Sequence, residues 1–295
     1  MLCLEDLAEI ASRHSGQLSS PVAEFTLGSR VFAFNSRPAI LGVVNLSPES
    51  WYRESVCLSA DAAIQRGRIL AAQGADAIDI GAESSLRHAG RVADASQLSR
   101  LLPVIQELAG ADLIVSVETY HPSVTRASLE AGAHILNLTG TDRNEEMFRM
   151  VAAHDAAVIL CHVQGPNVRE VGDFDFKGDA VSMLYEYFAR ETELATKAGV
   201  RKILIDPGLG FYYRNLQDSA VRIRHQMKTF LNTFRLRALG FPVCHALPHA
   251  FECFGDEVRC AEPFFAVLAA LGKTDLFRTH EVPRTRAVLE AMRIW

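Results

Sequence analysis

The sequence predicts an α/β protein, a single (β/α)8 TIM barrel with an N-terminal helix and hairpin as an extension. Short apolar segments rich in β-branched residues alternate eight times with helical patterns, and 295 residues is the length of one such barrel. Hydrophobic residues make up 49% of the chain, enough for a large core. A doubly wound open sheet is the alternative, but the GxGxxG turn that usually follows its first strand is missing.

Eight segments are predicted to be parallel strands that are buried on both faces and joined by helices. In chain order they are 39–46, 77–83, 113–119, 134–139, 157–163, 202–208, 242–247 and 276–282. Helical patterns lie between them; the first three end at Gly74, Gly110 and Gly132. The stretch 213–240 is long for one barrel helix, so we expect a break within it and an apolar surface that could pack on a second subunit.

Residues 1–38 do not fit the repeat and are predicted to form an extension of the barrel domain, 39–295. A short amphipathic helix is expected near 2–14. The segment EFTLGSRVFAF predicts a strand pair with Gly28 and Ser29 at its turn. Such a hairpin could cap the N-terminal mouth of the barrel.

The charge and the cysteines argue against several classes of protein. The net charge is −5 and there is no stripe of basic residues, so a nucleic acid partner is not expected. No apolar run reaches the roughly 18 residues that span a bilayer, and the acidic N-terminus does not look like a secretory signal. Six cysteines without a CxxC pair indicate reduced, buried thiols. We therefore expect a cytoplasmic protein without a membrane partner.

A polar residue stands near the end of each predicted strand. Active sites of (β/α)8 barrels lie at the C-terminal ends of the strands, so these side chains are predicted to converge. Burying so many polar groups without partners would cost about 1–3 kcal/mol each, which favours a ligand site. The residues are Asn45, Asp79, Glu83, Glu118, Asn137, His162, Asp206, His245, Arg278 and His280.

The residue types indicate the chemistry of the ligand. Carboxylates and amides suit a heterocycle with adjacent N–H donors, because an acid accepts two donors at once. Arg278 and His280 are cationic donors suited to a phosphate or diphosphate. In the loop after the first strand, Asn45, Ser47 and Ser50 offer oxygen ligands for a phosphate-bound Mg²⁺.

An ordered set of motifs resembles the dihydropteroate synthase family, a group of pterin-binding barrels. The resemblance covers about residues 39–290, and the segment IDPGLGF is very similar to one of the family's motifs. The motifs in chain order are LGVVNLSPES (41–50), DIGAESS (79–85), SVETYHPSVTRASLEAGAHILN (116–137), IDPGLGF (205–211), GFPV (240–243) and FRTHEV (277–282).

The resemblance implies a transferase of folate biosynthesis, a homodimer, that condenses a dihydropterin diphosphate with 4-aminobenzoate. Asp206 and Asn137 would hold the pterin edge, and Phe211 would help to wall its pocket. Arg278 and His280 would hold the diphosphate, with Asn45 facing its Mg²⁺. The remaining substrate-binding candidates are Glu83, Ser85, Arg87, Glu118, His162 and His245.

The sequence departs from the family pattern at several functional positions. The stretch CHALPHAFECFG (244–255) stands where the family has Ser-Arg-Lys, and its only basic residues are His245 and His249. Arg87 is displaced by one place in its loop, Glu118 stands for an aspartate, and Leu138 replaces another aspartate. Pterin binding is therefore better supported than condensation with aminobenzoate.

Two other functions stay open on the sequence alone. One is a pterin-binding relative with a different acceptor or a different chemistry, such as methyl transfer from a tetrahydropterin, or with no catalysis. The other is a barrel metal hydrolase. Its metal ligands would come from Glu83, His162, Asp206, His245 and His280.

Overall fold

The computed structural model describes residues 1–50, 52–86, 88–175, 178–211 and 213–294, and it has the predicted barrel architecture. Eight parallel strands pair in the order β8-β7-β6-β5-β4-β3-β10-β9, and a bridge between Ile205 and Val243 joins the two outer strands. The barrel is therefore closed, which excludes the open sheet. The strands are the antiparallel pair β1 (Phe25–Leu27) and β2 (Arg30–Phe32), then β3 (Ala39–Asn45), β4 (Ala77–Gly81), β5 (Val115–Thr119), β6 (Ile135–Leu138), β7 (Ala157–Cys161), β8 (Lys202–Asp206), β9 (Cys244–Ala246) and β10 (Leu276–Thr279).

Helices surround the barrel, and local sequence chemistry sets their ends. Ser59, Asp179 and Asp218 accept a hydrogen bond from a backbone N–H in the first turn of the helix that each precedes. The helices are α1 (Leu4–Arg13), α2 (Ala60–Ala72), α3 (Asp94–Gly110), α4 (Pro122–Glu130), α5 (Asn144–Ala153), α6 (Ala180–Lys197), α7 (Ser219–Leu231), α8 (Thr233–Arg237), α9 (Phe251–Phe254), α10 (Ala261–Leu271) and α11 (Val282–Met292). The predicted break in the stretch 213–240 is confirmed, because Asn232 separates α7 from α8.

The hairpin of the N-terminal extension packs on residues that precede the barrel strands. Arg30 pairs with Asp76, and Ser29 Oγ donates to Asp112 Oδ2 at 2.8 Å. Gly28 turns the hairpin with a φ of 52°, beside Ile114. These contacts lie at the amino ends of β4 and β5. The helix α1 and the hairpin confirm the elements expected in this region, while the domain boundary at residue 38 stays a prediction.

The register of the strands brings polar side chains together at the other end of the barrel. The amino-terminal half of the interior is apolar and includes Leu41, Leu204 and Leu276. Further along the strands, Glu118 pairs with Asn137, and Cys161 pairs with Asp206. The site therefore stands on a rigid, packed floor.

Two further expectations can be compared with the structure. None of the described helices is long and apolar enough to cross a membrane. All six cysteines lie in the described part of the chain and are free thiols, as predicted, but the expectation that they are buried is wrong for Cys3, Cys253 and Cys260, which are exposed.

Candidate active site

A cavity of about 510 Å³ opens at the carboxyl ends of the strands. Six barrel strands supply its inner polar wall, and the rest comes from α7 and from the segments after β3, β4, β6, β8, β9 and β10. The strand residues that line it are Asn45, Glu118, Asn137, Cys161, Asp206 and Arg278, with Ala246 from β9.

A buried network of charged side chains forms the floor of the cavity. Arg278 Nε donates to Asp79 Oδ2 at 2.7 Å, and Arg278 Nη2 donates to Glu118. Asp79 also accepts from Ser116 Oγ at 2.6 Å and from Asn137 Nδ2 at 3.1 Å. Asp79, one of the strand-end residues that the sequence predicts to converge, is therefore the anchor that orients Asn137 and Arg278.

The carboxylates outnumber the guanidinium in this floor. Burial raises the pKa of Glu118; Arg278 opposes that rise, while Asp79 and Asp206 add to it. Burial also raises the pKa of Asp206 to about 6, against the hydrogen bond from the Gly208 N–H. Three acids thus share one guanidinium, so the cavity favours a ligand that brings N–H donors.

Asp206 is presented to the cavity by a tight turn. Its Oδ1 accepts the Gly208 N–H at 2.8 Å, and the Cys244 thiol, a weak donor, is its other close polar neighbour. Gly208 has a φ of 72°, and a Cβ there would collide with the carbonyl oxygen of His162. The chain then continues to Phe211, which lines the cavity as expected.

Glu83 lines the cavity but is mostly engaged in holding the loop after β4. It accepts from Tyr120 and from the Val92 N–H at 2.9 Å. Burial alone would raise the pKa of Glu83, but hydrogen bonds from His121 and Tyr120 lower it to about 2. Ser85, from the same loop, also lines the cavity.

A residue that the sequence analysis missed fixes the same loop. Arg169 lies 3.6 Å from Glu83, donates to the carbonyl oxygens of Ser84 and Gly90 at 3.0 and 3.2 Å, and also donates to Ala89. It comes from the segment between β7 and α6, and no local pattern marks it. The candidate Arg87 lies outside the described residues.

The loop after β3 contributes Asn45 and Ser50 to the cavity. Asn45 Nδ2 donates to Ser55 Oγ at 2.6 Å, which fixes the orientation of the amide. Ser47 is buried, accepts a backbone N–H from Glu49 at 3.4 Å, and does not line the cavity in the described part of the loop.

The structure places two predicted binding residues, His162 and His245, outside the cavity. His162 packs against Tyr187 at 4.7 Å between ring centroids, and His245 Nε2 lies 2.8 Å from Thr233 Oγ1. Burial lowers the pKa of His162 to about 4 and that of His245 to about 3, so both rings are neutral. Successive residues point to opposite sides of a strand, so Cys161 lines the cavity and His162 faces the helices.

This placement also argues against the metal site that the hydrolase alternative requires. His162 and His245 face the helix side, and Glu83 is held in its loop, so the five predicted metal ligands do not converge. Within the described ranges, the group of possible metal ligands that lie close together is His249, Glu262 and His280, which shares only His280 with the prediction.

Fold and site together define the class: a (β/α)8-barrel protein whose small-molecule site lies at the carboxyl ends of the strands. The family model described as "Pterin binding enzyme" matches residues 41–245. The chain belongs to this family of pterin-binding enzymes, and its relatives there are dihydropteroate synthases.

The dihydropteroate synthase of a Synechocystis strain is 30% identical, over 87% of this chain and 89% of the relative. A probable bifunctional folylpolyglutamate synthase/dihydropteroate synthase of Halobacterium salinarum is 34% identical over 86% of this chain, which spans only 31% of that relative. The solved structure of the Xanthomonas albilineans dihydropteroate synthase with 4-aminobenzoic acid has a TM-score of 0.77 and 28% identity, over 92% of this chain and 97% of that one.

Proposed function

We propose that the protein is a transferase of the dihydropteroate synthase type. It would join a hydroxymethyl-dihydropterin diphosphate to 4-aminobenzoate and release diphosphate. The observation that carries the proposal is the acid-rich cavity floor, in which Asp206 and Asn137 stand beside the Arg278 network. Membership of the pterin-binding family supports the same ligand class.

The pterin ring is proposed to bind edge-on to Asp206. The pyrimidine edge of a pterin carries adjacent N–H donors, and a carboxylate can accept both. Asn137 accepts from the Cys161 thiol at 3.3 Å and donates to Asp79, so its amide is fixed and keeps one N–H for the ligand. Phe211 would cover one side of the ring.

The diphosphate would lie towards Arg278, His280 and Asn45. Arg278 is held by two carboxylates, and its Nη1 has no hydrogen-bond partner among the described residues. Burial lowers the pKa of Arg278, but Asp79 and Glu118 outweigh that effect and hold it above its usual value. The guanidinium therefore keeps its charge as the leaving group gains negative charge.

The donor set around Asn45 fits a magnesium ion that is bound mainly by the substrate. Mg²⁺ keeps several waters and takes one or two protein oxygens together with phosphate oxygens. The Asn45 amide oxygen and the Ser50 hydroxyl are such oxygens, and both residues line the cavity. When bound, the ion would neutralise charge on the diphosphate.

The protein's contribution to the reaction is proposed to be positioning and charge stabilisation. The C–O bond to the diphosphate breaks, the amine nitrogen forms a bond to the exocyclic methylene carbon, and the amine then loses a proton to solvent. Holding the two reactants in line can supply several kcal/mol of the barrier, about 7–11 at most.

A different acceptor amine is the second candidate function, and one observation favours it. The loop after β9 presents His249, Phe251 and Glu252 to the cavity, without a lysine or arginine. Glu252 pairs with Arg222 of α7 at 2.6 Å. The loop after β9 on the acceptor side is thus built from other residue types than the family pattern, while Asp206 and Asn137 on the pterin side match it.

A cytoplasmic location and a homodimeric state remain proposals for this protein. Exposed apolar side chains on α7 and α10, namely Val221, Phe264 and Leu271, could form the contact between subunits. Light scattering of the purified protein would measure its mass in solution.

The test is to incubate the protein with the dihydropterin diphosphate, Mg²⁺ and 4-aminobenzoate, and to measure diphosphate and dihydropteroate. Equal amounts of both products are expected. Diphosphate release only with another aromatic amine would favour the second candidate. A protein that does not bind the pterin diphosphate in calorimetry would contradict both candidates.

A further inference from the structure

Two histidines and one glutamate meet at one side of the cavity, away from its acid-rich floor. His249 follows β9 and His280 follows β10, and both line the cavity. Glu262 lies on α10 and is fully buried. One possible ligand atom from each of the three lies within 4.8 Å of the other two. Imidazole nitrogens and a carboxylate oxygen at this spacing are the ligand types of a transition-metal site.

The carboxylate of Glu262 is held so that one of its oxygens is left for the histidines. Its Oε2 accepts the backbone N–H groups of His280 at 2.8 Å and Glu281 at 3.1 Å. The same oxygen also accepts from Thr279 Oγ1. Oε1 faces the two imidazoles. Hydrogen bonds of this kind orient a carboxylate that binds a metal through a single oxygen.

Both histidines turn their Nδ1 atoms to that oxygen. His280 Nδ1 lies 2.7 Å from Glu262 Oε1, and His249 Nδ1 lies 3.6 Å from it. Two ligand atoms of a tetrahedral zinc, each about 2.0–2.1 Å from the ion, stand roughly 3.3 Å apart. The two distances lie on either side of this value, so an ion needs shifts of about 0.6 Å or less.

Hydrogen bonds within the protein do not complete this cluster. His249 Nδ1 is buried and has no hydrogen-bond partner among the described residues. Its distance of 3.6 Å from Glu262 is too long for a hydrogen bond, although only 11% of the His249 side chain is exposed. A buried polar atom without a partner calls for an explanation, and an ion held by Glu262 would supply the missing partner.

Tyr52, from the loop after β3, fixes the planes of both imidazoles. Its ring stacks on His249 at 5.0 Å and on His280 at 4.7 Å between ring centroids. Tyr52 is itself buried, and its hydroxyl donates to Glu281. The two rings are therefore held in place by packing, which is what a preorganised metal site requires.

We propose that His249, Glu262 and His280 bind one zinc ion, through the two Nδ1 atoms and Glu262 Oε1. Imidazole ligands suit zinc, whereas Mg²⁺ takes oxygen ligands, so this ion is distinct from the magnesium ion proposed at Asn45. Three protein ligands leave the fourth position to water or to an oxygen of a cavity ligand. Because both histidines line the cavity, the site is of the open type.

The test is zinc binding by the untagged full chain after dialysis against a chelator. Competition with a chromophoric chelator should give one zinc per chain, with a dissociation constant below about 1 μM. His249→Gln removes a ligand from a loop and should weaken zinc binding by about a hundredfold or more, since loss of an outer-shell partner alone costs about 10–100-fold. Thermal unfolding without zinc checks that the variant keeps its fold.

Cobalt(II) in place of zinc reports the ligand set directly. The derivative should show the strong visible bands of a tetrahedral ion, without near-ultraviolet bands from a thiolate ligand. Cys253 and Cys260 are exposed thiols that lie between His249 and Glu262 in the sequence, so they are the competing ligands. The double variant Cys253→Ser/Cys260→Ser should keep both the zinc affinity and the cobalt spectrum.

Two further variants give a graded result. Thr279→Val removes a donor to Glu262 Oε2 but no ligand, so zinc affinity should fall by about tenfold. His154→Gln removes an exposed histidine at the end of α5 and should match the wild type.

A chain that binds zinc more weakly than about 1 μM would overturn the inference. So would a His249→Gln protein with the zinc affinity of the wild type, or thiolate bands that disappear in the cysteine double variant. The assays contain neither pterin nor aromatic amine. A protein that binds zinc as described but makes no dihydropteroate would therefore contradict the proposed function and leave this inference standing.

Discussion

The two ends of the barrel both carry buried acids, but these acids have different partners. At the amino end, Asp76 accepts the Ile40 N–H at 2.8 Å and pairs with Arg30 and Arg37. Asp275 there accepts the Val243 N–H at 2.8 Å and lies 3.5 Å from Arg237. Both oxygens of each acid therefore have a strong donor nearby.

At the carboxyl end, Asp206 has one backbone donor, the Gly208 N–H, and otherwise a weak thiol donor. A raised pKa of a buried acid does not distinguish the two ends of the barrel. Burial raises the pKa of Asp206 to about 6 and that of Asp275, despite Arg237, to about 7. The difference is that the Asp206 carboxylate can still accept hydrogen bonds from a ligand and faces a cavity. A perturbed acid indicates a binding site only when its own protein leaves an oxygen for a ligand.

The largest effect is expected for Arg278→Met, which removes the one cation that the described residues contribute to the cavity floor network. Asp79 and Glu118 would be left as buried, unpaired charges, and breaking a buried pair in this way costs about 3–5 kcal/mol of unfolding free energy. Urea unfolding at neutral pH would measure the loss. A change below about 1 kcal/mol would mean that the network does not stabilise the floor as described.

Asp206→Asn should change pterin affinity and the stability of the fold in opposite directions. The amide keeps an acceptor for the Gly208 N–H but cannot accept two pterin donors, so pterin affinity should fall by about a hundredfold or more. The wild-type carboxylate, with a folded pKa of about 6, destabilises the fold at neutral pH. The variant should therefore gain unfolding free energy on the order of 2 kcal/mol.

Both quantities can be measured on one preparation, by fluorescence titration with a pterin and by urea unfolding. Loss of affinity together with loss of stability would indicate that Asp206 supports the fold, and the contrast between the two ends would fail.

Asp275→Asn is the matched change at the amino end and should have the smallest effect on function. Its raised pKa of about 7 means that above that pH the acid is charged in the fold, at a cost to stability. Because this pKa rise is larger than that of Asp206, the neutral variant should gain on the order of 2 kcal/mol or more of unfolding free energy at pH 8, and turnover should stay within about twofold of wild type. A large loss of turnover would show that the amino end is coupled to the site.

The sequence was sufficient to predict the barrel and much of its site. Apolar β-branched runs that alternate with helices determine the fold, and the position of Asn137, Asp206 and Arg278 near strand ends places them in the cavity. Which side chains of a strand face the cavity, and which face the helices, was harder to predict. A continuous apolar run gives no alternation, so His162 was assigned to the cavity although its neighbour Cys161 lines it.

Residues that act through tertiary contacts left no signal in the sequence. Arg169 reaches the loop after β4 from a segment about eighty positions away, and Glu262 lies on a helix whose pattern is otherwise apolar. The contact of Arg169 depends on the conformation of its loop, and the contacts of Glu262 depend on which face of its helix is buried. Neither follows from spacing along the chain.

The most direct test of the account is the pterin affinity of the wild-type protein between about pH 5 and pH 8. The pterin edge is proposed to bind the carboxylate form of Asp206, whose pKa is raised to about 6. The affinity should be constant above that pH and should fall about tenfold per unit below it, because the proton competes with the ligand. A flat profile across this range would contradict the assignment of Asp206 as the residue that recognises the pterin.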